Sequence, residues 1–326
     1  MKTIQVGILG TGSIASQFAK TCSMVEGAAP YGVASRSLEK AQAFAKENGV
    51  LKGFGSHEAL VSDPEIDLVY VATPHPIHFE DCMLALRHGK HVLCEKPMVM
   101  TKAQAKDLFD YAEAHELFIM EGMWTRFLPN TIQAKRWIDE GRIGKVKFID
   151  MIFSFSVDMN NPKDRLVNPA LGGGSMYDLG VYTVEMASFY AGANPISYSG
   201  YHTDFCPGAD ATAVMAVKYP NDILATLRTG IVANAPVMGT IVGDKGYIEL
   251  PRFYLANDAR LMIDGKIAEE CHMTYNVSEG FCWQLRAVCG YINNGMTDSP
   301  VVPHADTLAT IEILEGMMKS FYGSNQ

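Results

Sequence analysis

Residues 4–15 read IQVGILGTGSIA, an apolar run that ends in a turn with glycines at positions 10 and 12. The run Ile4–Leu9 predicts a buried strand, and the glycine turn opens a helix near Ser13. Glycines permit a tight turn, and Ala15 is small enough for the helix to approach the strand. The pattern favours the first unit of a dinucleotide-binding domain over the alternative, a tight strand-to-helix turn without a ligand.

In such a unit the backbone N–H groups at the start of the helix bind a pyrophosphate. We therefore predict that the turn binds the cofactor through Gly10, Thr11, Gly12, Ser13 and Ile14. The stretch lacks the Gly-Lys-Ser/Thr ending of a Walker loop, which excludes that type of nucleotide site.

Up to about residue 122, short β-rich runs alternate with segments of helical period, which is typical of a parallel sheet built from βαβ units. The predicted strands are Ile4–Leu9, Pro30–Ala34, Leu68–Ala72, His91–Cys94 and Phe118–Glu121. The predicted helices include Leu38–Glu47, Ile77–His88 and Ala103–His115. We assign residues 1–122 to a Rossmann NAD(P)-binding domain.

After Phe127 the pattern changes to strands that follow one another without helices between them. The predicted elements are a helix at Pro129–Glu140, a strand at Lys145–Phe155, a helix at Gly174–Ala191, strands at Ile196–His202, Thr212–Tyr219, Ile223–Thr229, Met238–Val242 and Tyr247–Leu250, and helices at Phe281–Asn293 and Thr307–Phe321. The chain is thus predicted to be α/β, with an α+β substrate-binding and dimerisation domain over residues 123–326 that contains a large open, mostly antiparallel sheet. The last helix, about residues 305–322, is a candidate to pack back on the first domain.

Composition narrows the class of protein. With 326 residues, 48% of them hydrophobic, and a net charge of −9, the chain resembles a soluble globular protein without the basic face that nucleic acid or anionic membrane requires. Seven cysteines without a C-x-x-C pair suggest neither a disulfide framework nor a zinc site. The chain shows no export signal or membrane span, so we expect a cytoplasmic protein.

The end of the second predicted strand bears on which dinucleotide binds. An NAD site usually carries Asp or Glu there, whereas this chain has Ser35 and Arg36. A guanidinium beside a hydroxyl suits a 2′-phosphate, which favours NADP. The alternative is that Arg36 stacks on the adenine of either cofactor.

Two later turns also lie at the carboxyl edge of the predicted sheet, where ligands of this architecture bind. The first follows strand 68–72, and we count its residues Ala72, Thr73, Pro74 and His78 as cofactor contacts. The second, Cys94-Glu95-Lys96-Pro97, follows strand 91–94. Proline restricts the backbone beside Lys96, so the amine is held near whatever binds at that edge. Taken alone, such a Lys-Pro pair is more often a surface loop.

The segment Gly172–Tyr182 reads GGGSMYDLGVY. Glycines let a backbone approach a ligand closely, and Asp178 and Tyr182, four residues apart, project from one face of a helix. A carboxylate and a phenol aimed at one point can bind a hydroxylated substrate and move its proton. A flexible loop followed by a core helix explains the segment equally well.

Together these motifs resemble the Gfo/Idh/MocA family of oxidoreductases, and the resemblance covers essentially the whole chain. It rests on G-x-G-x-x-A at Gly10–Ala15, on Glu95-Lys96-Pro97 and on the segment Gly172–Tyr182, where many members carry His in place of Tyr182. The stretch 121–129, EGMWTRFLP, resembles the branch with dimeric dihydrodiol dehydrogenases and NADP-dependent xylose dehydrogenases, although Gly122 stands where related chains often have Ala.

The resemblance implies that Lys96 and Tyr182 are the catalytic pair, that Asp178 binds substrate hydroxyls, and that a cis peptide bond precedes Pro97. We also count Glu95, Lys96, Pro97, Trp124 and Arg126 among the cofactor contacts. Since a phenol has a pKa of about 10, a nearby ammonium that stabilises the phenolate suits a tyrosine base. The implied reaction is hydride transfer between NADP, with NAD as the alternative, and a hydroxyl or carbonyl carbon of a sugar, cyclic polyol or trans-dihydrodiol.

Two other functions stay open within this fold. One is an NAD-dependent redox glycosidase, and the other is a non-catalytic sensor of a dinucleotide or sugar, against which the presence of Lys96 and Tyr182 argues. We expect a small-molecule substrate, no metal, and no nucleic acid or membrane partner. The loop Val157–Pro169 and the segment Phe153–Phe155 are candidates to line the substrate pocket. An open sheet leaves a large face uncovered, so we expect a homodimer through the sheet of the second domain.

Overall fold

The computed structural model describes residues 2–161 and 164–323, and its contacts divide the chain into two compact units. The first comprises the described residues up to Trp124 together with Asn276–Thr307, and the second comprises Thr125–Tyr275 and the residues from Leu308 onward. The sequence assigns residues 123–326 to the second domain, with the helix over about residues 305–322 as a candidate to pack back on the first. In the structure Asn276–Thr307 packs with the first unit instead, because the ring of Phe281 contacts those of Phe18 and Trp124.

Six parallel strands form the sheet of the first unit: β1 (Ile4–Leu9), β2 (Ala28–Ala34), β3 (Lys52–Phe54), β4 (Leu68–Val71), β5 (His91–Cys94) and β6 (Ile119–Glu121). Their order is β3-β2-β1-β4-β5-β6, which confirms the predicted Rossmann fold. The strand order reverses between β1 and β4, and at such a point ligands bind beyond the carboxyl ends of the strands. The sequence missed β3, which has only three residues.

Nine helices are described: α1 (Ser13–Met24), α2 (Leu38–Asn48), α3 (His57–Val61), α4 (His78–Arg87), α5 (Lys102–Ala114), α6 (Pro129–Asp139), α7 (Val181–Ala191), α8 (Val277–Asn293) and α9 (His304–Tyr322). Side chains cap several of them in the usual way: Ser37 caps α2, Thr101 caps α5, and Asn276 forms a capping box with Glu279 at α8. Helix α1 differs, because its N-cap residue is Gly12 and no side chain bonds to its first N–H groups. No helix in the described part of the chain is long and apolar enough to cross a membrane.

Eight strands form the sheet of the second unit: β7 (Val146–Ser154), β8 (Ser197–Cys206), β9 (Ala209–Lys218), β10 (Leu224–Gly230), β11 (Met238–Gly243), β12 (Tyr247–Pro251), β13 (Asp258–Ile263) and β14 (Lys266–His272). Their order is β14-β13-β12-β11-β7-β10-β9-β8, and every pair is antiparallel except β7 with β10. This confirms the predicted open, mostly antiparallel sheet. The sequence missed β13 and β14, whose apolar residues are interrupted by charged ones.

One face of the second sheet is buried and the other is exposed, because inward and outward residues alternate along its strands. Helix α7 packs on the buried face against β7 and β10. The predicted helix over Gly174–Ala191 begins differently from expectation: Met176–Gly180 is a π-helical turn, and the α-helix starts at Val181.

Candidate active site

The two glycines of the first turn have different neighbours. Gly10 has φ +110°, and a Cβ there would lie 2.7 Å from the carbonyl oxygen of Ala72, so the fold itself requires this glycine. A Cβ on Gly12 would meet nothing within 4 Å, and its backbone is extended. Gly12 therefore leaves open space beside the uncapped N–H groups of α1. That arrangement fits the pyrophosphate of a dinucleotide.

Backbone hydrogen bonds hold the predicted cofactor turns at one edge of the first sheet. The N–H of Gly10 donates to Ala34 at 3.1 Å, that of Ala72 to Leu9 at 2.9 Å, and that of Glu95 to Val71 at 2.9 Å. The structure thus brings together the turns after β1, β2, β4 and β5, which carry the predicted cofactor contacts. Thr11, Ser13 and Ile14 belong to the first of these turns.

Arg36 is exposed just after β2, and no carboxylate among the described residues forms an ion pair with it. Its neighbours are engaged in local structure: the N–H of Ser35 donates to the Phe54 carbonyl, and Ser37 caps α2. The end of β2 thus offers a guanidinium and a hydroxyl but no acidic side chain. These groups fit a 2′-phosphate.

The turn after β4 is tied to two helices through Thr73. Its hydroxyl donates to Asp81 at 2.7 Å, and Asp81 in turn pairs with His57 at 2.7 Å. The carbonyl oxygen of Thr73 lies 2.7 Å from Nε2 of His78. Pro74 precedes a short 3-10 turn at His75–Ile77 that leads into α4.

His78 connects this turn to the one that carries Lys96. It is fully buried, and its Nδ1 lies 3.0 Å from the carbonyl oxygen of Pro97 while Nε2 faces Thr73. Burial lowers the pKa of His78, and the hydrogen bonds to the carbonyl oxygens of Thr73 and Pro97 oppose that shift. The structure therefore places His78 behind the turns, as a brace between two backbone carbonyls.

Lys96 lies on a turn that is anchored on both sides. The peptide bond between Lys96 and Pro97 is cis, which confirms the expectation from the resemblance. Before the lysine, the hydroxyl of Tyr70 donates to the carboxylate of Glu95. After it, the N–H of Met98 donates to Glu121 at 2.8 Å. The lysine side chain itself is buried.

Glu121 was not among the predicted site residues. It is buried at the end of β6, where its second carboxylate oxygen accepts from the hydroxyl of Thr307 at 3.2 Å. The only signal in the sequence is its place at the start of the stretch 121–129. Its contact with Met98 spans 23 residues and follows no local pattern.

Gly173 and Gly174, which the sequence analysis considered as a place where the backbone approaches a ligand, are packed closely against the chain itself. A Cβ on Gly173 would lie 2.8 to 2.9 Å from three backbone carbonyl oxygens of residues 165–168. A Cβ on Gly174, whose φ is +110°, would lie 2.6 Å from the carboxylate of Asp210. The chain itself thus fills the space that these two glycines leave.

Asp178 lies within the π-helical turn and is buried. Nη2 of Arg165 donates to its carboxylate at 2.8 Å, and the arginine side chain is 46% exposed. The charge-assisted hydrogen bond from Arg165 fixes the orientation of the carboxylate. Arg165 lies in the predicted pocket loop 157–169, of which residues 162 and 163 lie outside the described residues. Sequence reasoning missed it because the loop has no periodic pattern.

Tyr182, the second residue of α7, is buried against aromatic rings of the same unit. Phe153 on β7 packs edge-on against it at 5.6 Å between ring centroids, and Tyr254 does so at 6.3 Å. Phe153 and Tyr254 stack on each other at 4.7 Å. The predicted lining segment 153–155 thus lies next to Tyr182, whereas Tyr254 was not foreseen.

Trp124 and Arg126, the last predicted cofactor contacts, are both buried. Trp124 packs edge-on against Phe281 in the first unit. In the second unit, Arg126 forms an ion pair with Glu185 at 3.4 Å and covers the ring of Phe189. These contacts give Arg126 a structural role in the second unit, and a cofactor contact by either residue stays a prediction.

Both units match known family models. Residues 4–123 match the Gfo/Idh/MocA model described as an oxidoreductase family with an NAD-binding Rossmann fold, and residues 131–249 match the Gfo/Idh/MocA C-terminal domain. A trans-1,2-dihydrobenzene-1,2-diol dehydrogenase from Xenopus laevis is 32% identical over 94% of this chain and 94% of its own. One from Mus musculus is 30% identical over 96% of both chains.

A solved structure of levoglucosan dehydrogenase with NADH and levoglucosan has the same fold, with a TM-score of 0.88 and 18% identity over 97% of this chain and 96% of its own. The sequence similarity to these two diol dehydrogenases covers 94% and 96% of this chain, so it extends through both units.

Proposed function

The chain belongs to the Gfo/Idh/MocA family of oxidoreductases, and from that premise we propose that it is an NADP-dependent dehydrogenase or reductase. Its substrate is a sugar, a cyclic polyol or a trans-dihydrodiol, in keeping with the names of its relatives. The observation that carries the cofactor assignment is Gly12, a glycine that no contact within its own chain explains, at an uncapped helix start.

Arg36 supports NADP over NAD. A 2′-phosphate would receive a planar, exposed guanidinium and the Ser35 hydroxyl, and no carboxylate at the end of β2 would repel it. A ribose 2′-OH would find no acidic partner there. The bound nicotinamide supplies the hydride acceptor or donor.

The step that we assign to the side chains of this protein is the transfer of one proton to or from the substrate. In the oxidation, Tyr182 accepts the proton of the substrate hydroxyl at its phenolic oxygen, and in the reduction it returns the proton. The ammonium of Lys96 stabilises the phenolate. Asp178, oriented by Arg165, accepts hydrogen bonds from neighbouring substrate hydroxyls.

The assignment is tested by the rate of NADPH formation from NADP with a panel of xylose, glucose, inositol and a trans-dihydrodiol. We expect turnover of at least one compound by the wild type and by Lys106→Met, an exposed lysine on α5 that serves as the matched control. Lys96→Met should lose at least about 100-fold in kcat. Undiminished turnover by Lys96→Met would contradict the proposal.

Two other outcomes would also overturn it. Release of a sugar from a glycoside without net NADPH formation would indicate a redox glycosidase. Binding of cofactor and sugar with no turnover of any compound would indicate a sensor.

We further propose that two copies pair through the exposed face of the second sheet. Outward apolar side chains lie side by side there, with Phe148 opposite Leu224 and Val214 opposite Tyr201 in register. A second copy presents the same face, so a two-fold axis can cover both. Light scattering should give twice the chain mass for the wild type and a monomer for Val214→Asp. A monomeric wild type would refute the pairing. A cytoplasmic location stays a prediction.

A further inference from the structure

Asp210, at the start of β9, has a buried carboxyl group that the proposed chemistry does not use. One oxygen accepts from the hydroxyl of Ser175, and the other accepts from the N–H of Met176 at 3.2 Å. The Ser175 hydroxyl also lies 2.7 Å from that of Thr229 on β10. Asp210 and Ser175 are 0% exposed and Thr229 is 3% exposed, so the group is shielded from water.

The chain is shaped around this carboxyl group. Gly174 approaches so closely that a Cβ there would lie 2.6 Å from an oxygen of Asp210, with φ in the left-handed region. Burial raises the pKa of Asp210, and the Ser175 hydroxyl and the Met176 N–H oppose that rise. A buried carboxyl group that lacked these partners would be strongly destabilising.

The partners of Asp210 stand where the π-helical turn begins. Ser175 and Met176 are its N-cap and first residue, and the turn Met176–Gly180 runs directly into α7. Asp178 lies inside the turn, and Tyr182 is the second residue of α7. π-Helical turns are rare and concentrate at functional sites. Because a π turn is not the geometry that a helix adopts unaided, contacts from outside the helix must select it.

We propose, on the basis of the function above, that Asp210 is a positioning residue: with Ser175 and Thr229 it fixes the start of the π-helical turn. It thereby sets the orientation of Asp178 and Tyr182. Its carboxyl group acts through the turn and transfers no proton to the substrate.

Two substitutions separate position from charge. In Asp210→Asn the amide oxygen can still accept from Met176, and the amide nitrogen can donate to Ser175, so the turn keeps its anchor. In Asp210→Ala both partners lose their acceptor. Val217→Ala, on the same strand and also buried, removes packing without touching the network and is the matched control.

The test compares kcat, its pH profile, the Kd for NADP and Tm across these variants. We expect Asp210→Ala to lower kcat by about 10–100-fold and to shift the pH profile of kcat, with the Kd for NADP within about twofold of the wild type. Asp210→Asn should recover about tenfold of that loss. Val217→Ala should lower Tm and leave the kcat of the folded enzyme and its pH profile unchanged.

The inference is overturned if Asp210→Ala keeps kcat within about threefold of the wild type, or if Asp210→Asn is as impaired as Asp210→Ala. If Asp210→Ala does not fold, Ser175→Ala takes its place and should lower kcat at least about fivefold. Full activity of Tyr182→Phe would contradict the proposed function and this inference with it. An inactive Tyr182→Phe beside a fully active Asp210→Ala would contradict this inference alone.

Discussion

The chain contains two glycine-rich segments that lead into helices, residues 10–15 in the first unit and 172–175 in the second. In the first, Gly12 faces open space beside N–H groups that no side chain caps. In the second, backbone carbonyls and Asp210 occupy the space around Gly173 and Gly174. Two glycine-rich segments thus differ in what fills the space where a side chain would lie. A ligand is implied only where the chain leaves that space open.

The largest effect should come from filling the closed segment. Gly174→Ala forces a left-handed backbone on alanine and places its methyl group against Asp210, so we expect about 2–4 kcal/mol of destabilisation. Urea unfolding measures it. Gly192→Ala is the control, because Gly192 also has a positive φ but its Cβ would meet nothing within 4 Å. Equal losses in the two variants would show that close packing at Gly174 contributes nothing.

The open segment should respond in the opposite manner. Gly12→Ala should leave the unfolding free energy within about 1 kcal/mol of the wild type, because its methyl group meets no atom of the chain. It should weaken NADP binding by about 10–100-fold, since the methyl group enters the space left for the pyrophosphate. Calorimetric titration gives the Kd. Gly290→Ala on α8, another glycine with open space, should not change it. Unaltered NADP affinity in Gly12→Ala would refute the ligand assignment.

The open segment could be predicted from the sequence, whereas the closed one depends on contacts between residues that are far apart in the chain. The turn after β1 was recognised because strand, glycines and helix are adjacent in the chain. The environment of Gly174 was not, because Asp210 lies 36 residues further along the chain and no periodicity connects them. The same holds for the ion pair of Arg126 with Glu185, which a local pattern does not reveal.

Arg36, at the end of β2, gives a narrower test of which nucleotide binds. Arg36→Ala should weaken NADP binding by about tenfold and change NAD binding by less than about twofold, because only NADP has the 2′-phosphate. Arg87→Ala, an exposed arginine at the end of α4, is the matched control. A parallel loss for both nucleotides would assign Arg36 to adenine stacking instead.

The smallest effect is expected on the pH dependence of stability, which should differ between the two units. Burial lowers the pKa of His78 and His91 in the first unit, so folding favours the neutral form of each side chain. Their contribution is present above the unfolded pKa of about 6.5 and is lost as the pH falls below it. Asp210 has a raised pKa, so its contribution is lost as the pH rises instead.

Hydrogen exchange at pH 7 and pH 5 checks this difference. Amides of α4 and β5 should lose protection on acidification, with a fall in Tm of roughly 2–4 °C, while amides at the start of β9 should not. In His91→Asn the change in the first unit should be smaller. Equal loss of protection in both units would contradict the assignment.

The most direct test of the proposed function is to measure kcat and the Kd for NADP for Tyr182→Phe beside the wild type, with whichever substrate of the panel turns over. The phenol ring and its packing against Phe153 are retained in this variant, and only the hydroxyl is removed. We predict that the Kd stays within about twofold while kcat falls at least about 100-fold, because the proton has lost its acceptor. A kcat within about threefold of the wild type would contradict the assignment of Tyr182 as the acid and base.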